Sequence, residues 1–471
     1  MVMKMQRRQT AVIGIFMLAF ASVYAQDGAT IYKTYCAGCH GAELQGASAS
    51  PLIKSDWKYG RGKGAMSRNI KFGIPLTDMV AWGKVLNDEQ INAVTEFVVA
   101  SQSLPPEARR PIPATLNTKD YDLKVEQLVT SGIRLPWGIE FIDSNHALIS
   151  ERPGAIRWLV NGKLEEKSIS GLPSTTYQQV TDGYFDIALD PKYQSNGWIY
   201  LAYSHTNENP ADKNAASMTK VVRGKIKDYQ WVDQQTLFEV PDSLKVRGGN
   251  RWGGRLFFDK DGFLFFSIGD MARANDSQDL SKPSGKVFRI MADGTIPKDN
   301  PFVKNASALP AIYSIGNRNV QGFSQHPVTG EIWMTEHGPM GGDELNILKK
   351  GANYGWPVIT YGVDYSGEIV SNDTMKAGML QPVTYWTPSP AVCPAEFISN
   401  KLFSKWTTNL LVGALAFEEI RRLVITKENK VAEQEIILKG VGRIREIKMA
   451  PDGAIYVLLN EPDMILRLTP Q

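Results

Sequence analysis

A chain of 471 residues is too long for one ordinary hydrophobic core and long enough for two domains of unequal size. Its 43% hydrophobic and 21% charged residues are the composition of a globular protein. The formal net charge is only +3, part of it from Lys4, Arg7 and Arg8, so the charge balance gives no reason to expect a nucleic-acid partner.

Taken in chain order, the first segment has a basic start, an apolar run from Ala11 to Val23, and the small-residue sequence Val23-Tyr24-Ala25 before Gln26. This is the pattern of a cleaved signal peptide over 1–25. The run is short for a bilayer span, which disfavours an uncleaved anchor. Arg7-Arg8 lacks the residues that follow in twin-arginine export, and no lipid-attachment cysteine stands at the cleavage point. The mature protein is expected to be periplasmic or secreted, with no membrane span after cleavage.

From Gln26 to about Ser103 the pattern is helical. Two of the three cysteines fall in Cys36-Ala37-Gly38-Cys39-His40, the C-x-x-C-H by which two thiols add to haem vinyl groups while the histidine takes the iron. A zinc site would want two more soft ligands, and the remaining cysteine is the distant Cys393. A thioredoxin-like redox pair is the other alternative reading of the two thiols. Met66–Phe72 reads as a short amphipathic helix, and Asp88-Glu89-Gln90-Ile91 opens another with Ile91, Val94, Phe97 and Val98 on one face. The segment resembles a small class I cytochrome c, and the resemblance implies a methionine as sixth iron ligand. Met79, on a loop before the last helix, stands at that place, with Met66 as the alternative.

Leu104 to Pro113 is proline-rich and without periodicity, so 104–117 reads as a semi-stiff linker. From 118 to 471 the texture is short alternating strands broken by Asp, Pro and Gly turns. Six units of strand, polar turn and second apolar strand recur, at 137–150, 185–204, 255–270, 322–338, 406–415 and 447–459. The expected fold is an all-β six-bladed propeller preceded by a small all-α cytochrome c domain (26–103), with a pair of β-sandwiches as the alternative.

Motifs across this second region resemble the soluble PQQ-dependent sugar dehydrogenases of the glucose/sorbosone and aldose sugar type. They include Leu135-Pro136-Trp137-Gly138, Glu151-Arg152-Pro153-Gly154, Gly253-Gly254-Arg255-Leu256, Ser267-Ile268-Gly269-Asp270, Gly316-Asn317-Arg318-Asn319, Glu336-His337-Gly338-Pro339, Gly342-Asp343-Glu344-Leu345-Asn346 and Asn353-Tyr354-Gly355-Trp356-Pro357. The resemblance implies PQQ on top of the propeller, polarised by Ca²⁺, with a histidine base taking the sugar hydroxyl proton. Arg318, Asn319, Arg443 and Arg445 match cofactor contacts, and guanidinium forks suit a tricarboxylate. His337 is expected to face the same site. The carbonyls of Gly338 and Pro339 match ligands of one calcium, and Glu344, Tyr354 and Asp364 match a second, structural site.

Three positions depart from that pattern. Arg251 stands where the family has its base, and a guanidinium stays protonated in proteins. Thr181 replaces an orienting glutamine and Ala416 a lysine that reaches the quinone. Asp182 and Asp270 are the nearby carboxylates that could serve as base if burial raised their affinity for protons.

The expected function is oxidation of an aldose or other sugar or polyol at a PQQ site, with electrons passed to the covalent haem c and on to a one-electron acceptor of the respiratory chain. The alternative is an electron-relay cytochrome joined to a catalytically silent propeller that binds carbohydrate or a partner.

Overall fold

The structure, a computed structural model, describes residues 28–46, 49, 51–53, 63–74, 79–101, 111–177, 181–364 and 368–471. The expected signal peptide 1–25 and residues 104–110 of the expected linker lie outside this set. The chain forms two compact units, Met1–Arg109 with Val363–Ile369, and Arg110–Gly362 with Val370–Gln471.

The first unit is helical. Residues 28–40 form a helical run whose middle, Tyr32–Cys36, is π-helical and whose last turn, Ala37–His40, carries the second thiol and the histidine. Two longer helices follow, Lys63–Phe72 and Asp88–Ser101. Asn87 starts the second of these with a reciprocal cap: its Oδ1 accepts from the Gln90 amide at 2.8 Å, and the Asn87 amide donates back to Gln90 Oε1 at 3.1 Å. The apolar spacing then buries Ile91, Val94 and Val98 against Ile31, Tyr32, Leu44, Met66 and Ile70. Gly28 lets the first helical run approach closely, since a Cβ there would sit 2.3 Å from the Ala93 carbonyl.

The second unit is a six-bladed propeller. Its described strands form five four-stranded antiparallel sheets and one five-stranded sheet. In the latter, Arg443–Met449, Ile455–Asn460 and Met464–Pro470 are completed by Asp122–Val129 and Thr115–Asn117 from the opposite end of the unit. Leu123 pairs with Pro470 and Val125 with Leu468, so sheet hydrogen bonds close the ring. Leu123 and Leu468 are fully buried in the core beneath this closure, where truncating either to alanine costs about 2–5 kcal/mol.

The first strand of each blade lines the centre: Pro136–Phe141, Tyr184–Leu189, Leu256–Phe258, Val320–Gln325, Val392–Phe397 and Arg443–Met449. In five of them the pairing with the next strand slips, at 136/138, 184/187, 320/322, 392/395 and 444/446. Such bulges re-aim side chains, and here the slips hold Trp137, Asp186, Gln321, Cys393 and Arg445. These residues meet Arg255 on the axis. Its Nε donates to the Gln321 carbonyl at 2.9 Å, Nη1 lies 3.4 Å from Asp186 and pairs with Glu446, and the guanidinium covers the Trp137 ring at 4.3 Å. A buried charge is tolerated when its neighbours supply counter-charge and hydrogen bonds, and this axis is built that way.

The sequence units match the first two strands of blades one to four and six. The fifth unit, 406–415, holds only the second strand of its blade. The first, Val392–Phe397, is buried on both faces and contains Pro394, so it shows no alternation to read.

Candidate functional site

In an antiparallel blade, the start of the first strand and the end of the second lie at the same end of the ring. Asp182, Arg251, Arg318, Asn319 and Arg443 precede or begin first strands, while Arg152, Asp270, His337 and Ala416 follow second strands. Topology therefore gathers the predicted propeller residues at one end, with Arg152 beside them.

A pocket at this end is lined by Arg318, Glu336, His337, Gly338, Pro339, Gly342, Glu344, Tyr354, Trp356, Ile359 and Thr360. Arg318 lies over the Trp356 ring at 5.3 Å, and its Nη1 donates to the His337 carbonyl at 3.2 Å and to the Gly338 carbonyl. Pro339 O accepts from Ser389 Oγ at 3.2 Å. Both carbonyls expected to bind calcium are thus hydrogen-bonded to protein donors.

Beneath them, Glu336 and Glu344 are direct cross-strand partners. Burial pushes the Glu336 carboxyl up to about 7, and burial together with the Glu336 charge pushes Glu344 up to about 8. Facing carboxylates of this kind favour a proton or a cation between them. Tyr354 lines the same pocket, but its hydroxyl donates to Ile347 O at 2.7 Å and accepts from the Lys349 amide at 2.9 Å. Asp364 is exposed and falls in the segment grouped with the first unit, so it is not among the pocket residues. Among the described residues, no group of three or more His, Cys, Asp or Glu side chains is clustered for a metal.

His337 is a neutral imidazole. Burial first, then the charges of Arg318, Arg445 and Arg443, push it down to about 3. Its Nδ1 is 3.4 Å from Asn319 Nδ2, and its Nε2 is buried with no hydrogen-bond partner. The Asn319 amide is fixed from its other side, where Oδ1 accepts from Gly253 N at 3.0 Å and Gln321 Nε2 at 3.1 Å.

The arginines divide into two kinds. Arg445 turns inward to Gln321 Oε1 at 3.3 Å and Cys393 Sγ at 3.4 Å, and burial with the nearby Arg152, Arg443 and Arg255 lowers its affinity for its proton. Arg443 and Arg152 have no side-chain hydrogen bond or ion pair among the described residues, and the Arg152 Nε is buried unpartnered. Two uncompensated guanidiniums and an orphaned imidazole nitrogen form a site for a polyanion.

Arg251 is held by Asp270: Nε donates to Oδ1 at 2.6 Å and Nη2 to Oδ2 at 3.4 Å. Asp270 is fully buried and also accepts from Ala272 N at 3.1 Å and Trp356 Nε1 at 2.9 Å. Four donors fill its acceptor capacity. Asp182 is buried directly before the first strand of blade two, and Thr181 beside it is exposed. Ala416 is tied by its amide to Pro390 O and offers no charge.

In the first unit, Cys36 and Cys39 are free thiols on successive helical turns, with His40 adjacent. Burial, then Cys39, pushes the Cys36 thiol up to about 11. Cys36 and Met79 both pack against the helical core, and the Met79 carbonyl accepts from Ile74 N at 3.0 Å. Of the residues now seen at the propeller site, Arg152, Glu336 and Trp356 carried no role in the sequence reading. All three lie inside recognised motifs, which was the available signal.

The profile of the family described as Glucose / Sorbosone dehydrogenase matches residues 133–467. The chain belongs to the glucose/sorbosone dehydrogenase family. Its N-terminal part, residues 24–98, matches the profile described as Cytochrome C oxidase, cbb3-type, subunit III. The chain is 36% identical over 366 residues to the aldose sugar dehydrogenase YliI of Escherichia coli, covering 76% of this chain and 94% of that protein. It is 28% identical to quinoprotein glucose dehydrogenase B of Acinetobacter calcoaceticus, over 74% of this chain and 87% of that one. The apo crystal structure of the Escherichia coli soluble aldose sugar dehydrogenase superposes with a TM-score of 0.69 at 35% identity, covering 74% of this chain and all of that one. The chain thus joins a sugar-dehydrogenase propeller to a cytochrome c domain, and that domain implies haem. Among the described residues no helix is long and apolar enough to cross a membrane.

Proposed function

We propose that the protein oxidises an aldose or related polyol at a PQQ site on the propeller and passes the electrons to haem c in its own N-terminal domain. The observation that carries this reading is the set of unpaired Arg152, unpaired Arg443 and orphaned His337 Nε2 at one end of the ring. A cofactor with three carboxylates meets that electrostatic demand. PQQ, when bound, supplies a two-electron acceptor for the hydride of the sugar carbon.

The chain's own residues supply binding and the handling of the proton. Arg152, Arg443, Arg318 and Asn319 hold the anion, and Trp356 walls the pocket. Arg251 is paired with Asp270, whose acceptor positions are filled, and His337, held neutral with Nδ1 turned to Asn319, offers its Nε2 hydrogen to the anion, which leaves Asp182 to receive the hydroxyl proton. Ca²⁺ would sit near the Gly338 and Pro339 carbonyls after Arg318 releases Gly338, and a second ion near Glu344 would relieve its repulsion with Glu336.

Cys36 and Cys39 would hold the haem covalently and His40 and Met79 would bind its iron, which would supply a one-electron carrier. A two-electron donor is emptied one electron at a time, and tethering keeps the first acceptor at high local concentration. The basic and apolar start of the sequence supports a cleaved leader and a periplasmic or secreted protein, with 26–103 as the cytochrome domain, 104–117 as linker, 118–471 as propeller, and a respiratory carrier as the next acceptor.

The test is to incubate the haem-loaded protein with PQQ and Ca²⁺, remove free cofactor by gel filtration, and add a panel of aldoses. Retained PQQ and sugar-dependent reduction of the haem are expected. A protein that retains no PQQ and shows no reduction with any sugar overturns the reading in favour of a silent propeller.

A further inference from the structure

A single fully buried serine carries the backbone on which Asp182 stands. Ser204 lies near the end of the second strand of blade two, Ile199–His205. Its Oγ accepts from the Gly183 amide at 2.8 Å and from Thr176 Oγ1 at 2.7 Å, and donates to the Thr176 carbonyl at 3.0 Å. A hydroxyl has one donor and two acceptor positions, so all three are used. The Ser204 amide adds a bond to the Gly183 carbonyl at 2.9 Å. Both the N–H and the C=O of Gly183 therefore end on Ser204, and the Asp182–Gly183 peptide cannot turn without breaking the bond to Oγ.

Gly183 is pinned from its other side as well. Its φ is +125°, and a Cβ there would lie 2.1 Å from the Arg152 carbonyl, which accepts from Tyr184 N at 2.9 Å. Regular pairing of this strand slips just beyond, between Tyr184 and Ile187, so the place of Asp182 depends on these local bonds rather than on a continuous ladder. Asp182 itself is 2% exposed and is the carboxylate left to receive the hydroxyl proton. A buried polar network with its members satisfied is rigid, and reaction geometry is where rigidity counts, since a misplacement of about 1 Å can cost about a hundredfold in rate.

We propose that Ser204 is a positioning residue for proton removal, holding the Asp182 carboxylate at the reacting hydroxyl through the Gly183 peptide. In that step the sugar O–H gives its proton to an Asp182 oxygen, and the hydride on the same carbon leaves to the two-electron acceptor, giving the lactone from an aldose. Ser204 has no exposed surface to offer sugar or cofactor, so its loss should slow this step without weakening binding. The inference rests on the dehydrogenase reading above, with Asp182 as its base.

The test is a double-mutant cycle on the haem-, PQQ- and Ca²⁺-loaded protein with an aldose that it oxidises. Asp182→Asn should lower kcat by about a hundredfold or more, the usual range for a general base. Ser204→Ala should lower kcat about tenfold and keep KM within about twofold. In the Asp182→Asn background the same change should alter kcat by less than about twofold, because the group it positions is gone. Without PQQ or turnover, hydrogen exchange at the Gly183 amide should quicken at least about tenfold in Ser204→Ala relative to amides elsewhere in the propeller core. Ser204→Cys, which leaves a weak acceptor in the same place, should fall between, and it carries the cycle if Ser204→Ala does not fold. Equal factors of loss with and without the Asp182 carboxylate would make Ser204 a general support of the fold and overturn the inference. Unchanged exchange at Gly183 would overturn it too, and the dehydrogenase reading survives both results. Full kcat in Asp182→Asn would remove the base assignment and this inference with it. Failure of the native protein to oxidise any aldose would instead remove the dehydrogenase reading on which the inference stands.

Discussion

Replacing Asp270 by Asn tests whether Arg251 is an anchored cation rather than a lone side chain. Asp270 receives four N–H groups, from Arg251 Nε and Ala272 N on one oxygen and Arg251 Nη2 and Trp356 Nε1 on the other. An asparagine turns one of those oxygens into an NH₂ facing two donors. Each buried donor left unpaired costs about 1–3 kcal/mol, and partly exposed Arg251 can relax toward water, so the propeller should lose about 2–4 kcal/mol. Urea unfolding followed by tryptophan fluorescence reads this as a lower midpoint at unchanged slope. A double-mutant cycle with Arg251→Met isolates the pair, and a coupling of about 1–2 kcal/mol is expected for a charge-assisted contact with one fully buried partner. A coupling below about 0.5 kcal/mol would refute the anchoring argument, because the Arg251–Asp270 distance would then reflect proximity without energy.

Three further outcomes follow from the geometry. Burial pushes Glu396 up to about 7 against the opposing charge of Lys448 and the Met449 amide, so the folded state keeps a proton that the unfolded state loses above its ordinary pKa of about 4.5. Its contribution is therefore fully present below pH 4.5 and lost as pH rises through 7, with a slope of at most about 1.4 kcal/mol per pH unit. Glu396→Gln should gain stability over the native protein between pH 5 and 8, and an unchanged difference across that window would be evidence against the shift. Cys393 is fully buried between Arg255 and Arg445, so once the haem thioethers have consumed Cys36 and Cys39, a thiol reagent should label nothing before unfolding. Substituting Cys36 or Cys39 by Ser should cost covalent haem, whereas Met79→Leu should keep it and lose the methionine–iron charge-transfer band. A band that survives in Met79→Leu and disappears in Met66→Leu would transfer the ligand to Met66.

The parts of the fold legible in the sequence are those written in local patterns. Period-two alternation marked the paired strands, and the apolar spacing after Asp88 marked the helix that packs the cytochrome core. The haem attachment residues could be named because their chemistry fixes their spacing over five residues. Closure of the ring by Asp122–Val129 on Met464–Pro470 could not be read, because the pairing joins segments some 340 residues apart by the register Glu126 to Arg467. The two nearby arginines of blade six show the same limit. Arg443 and Arg445 should share a strand face by alternation, yet a slip at 444/446 helps send Arg445 into the axis, where it meets Cys393 and Gln321 from other blades. Arg152, by contrast, stood in a motif that carried the family resemblance without a role of its own, and its value to the site lies in having no side-chain partner among the described residues.

The most direct test of the central claim is a single-turnover mixing experiment on the PQQ-, Ca²⁺- and haem-loaded protein. Rapid addition of a sugar without external acceptor should reduce the haem in a first-order phase whose rate is independent of protein concentration, because the electrons travel within one chain. Sugar oxidation that proceeds with an added dye while the haem stays oxidised, or haem reduction whose rate rises in proportion to protein concentration, would contradict it.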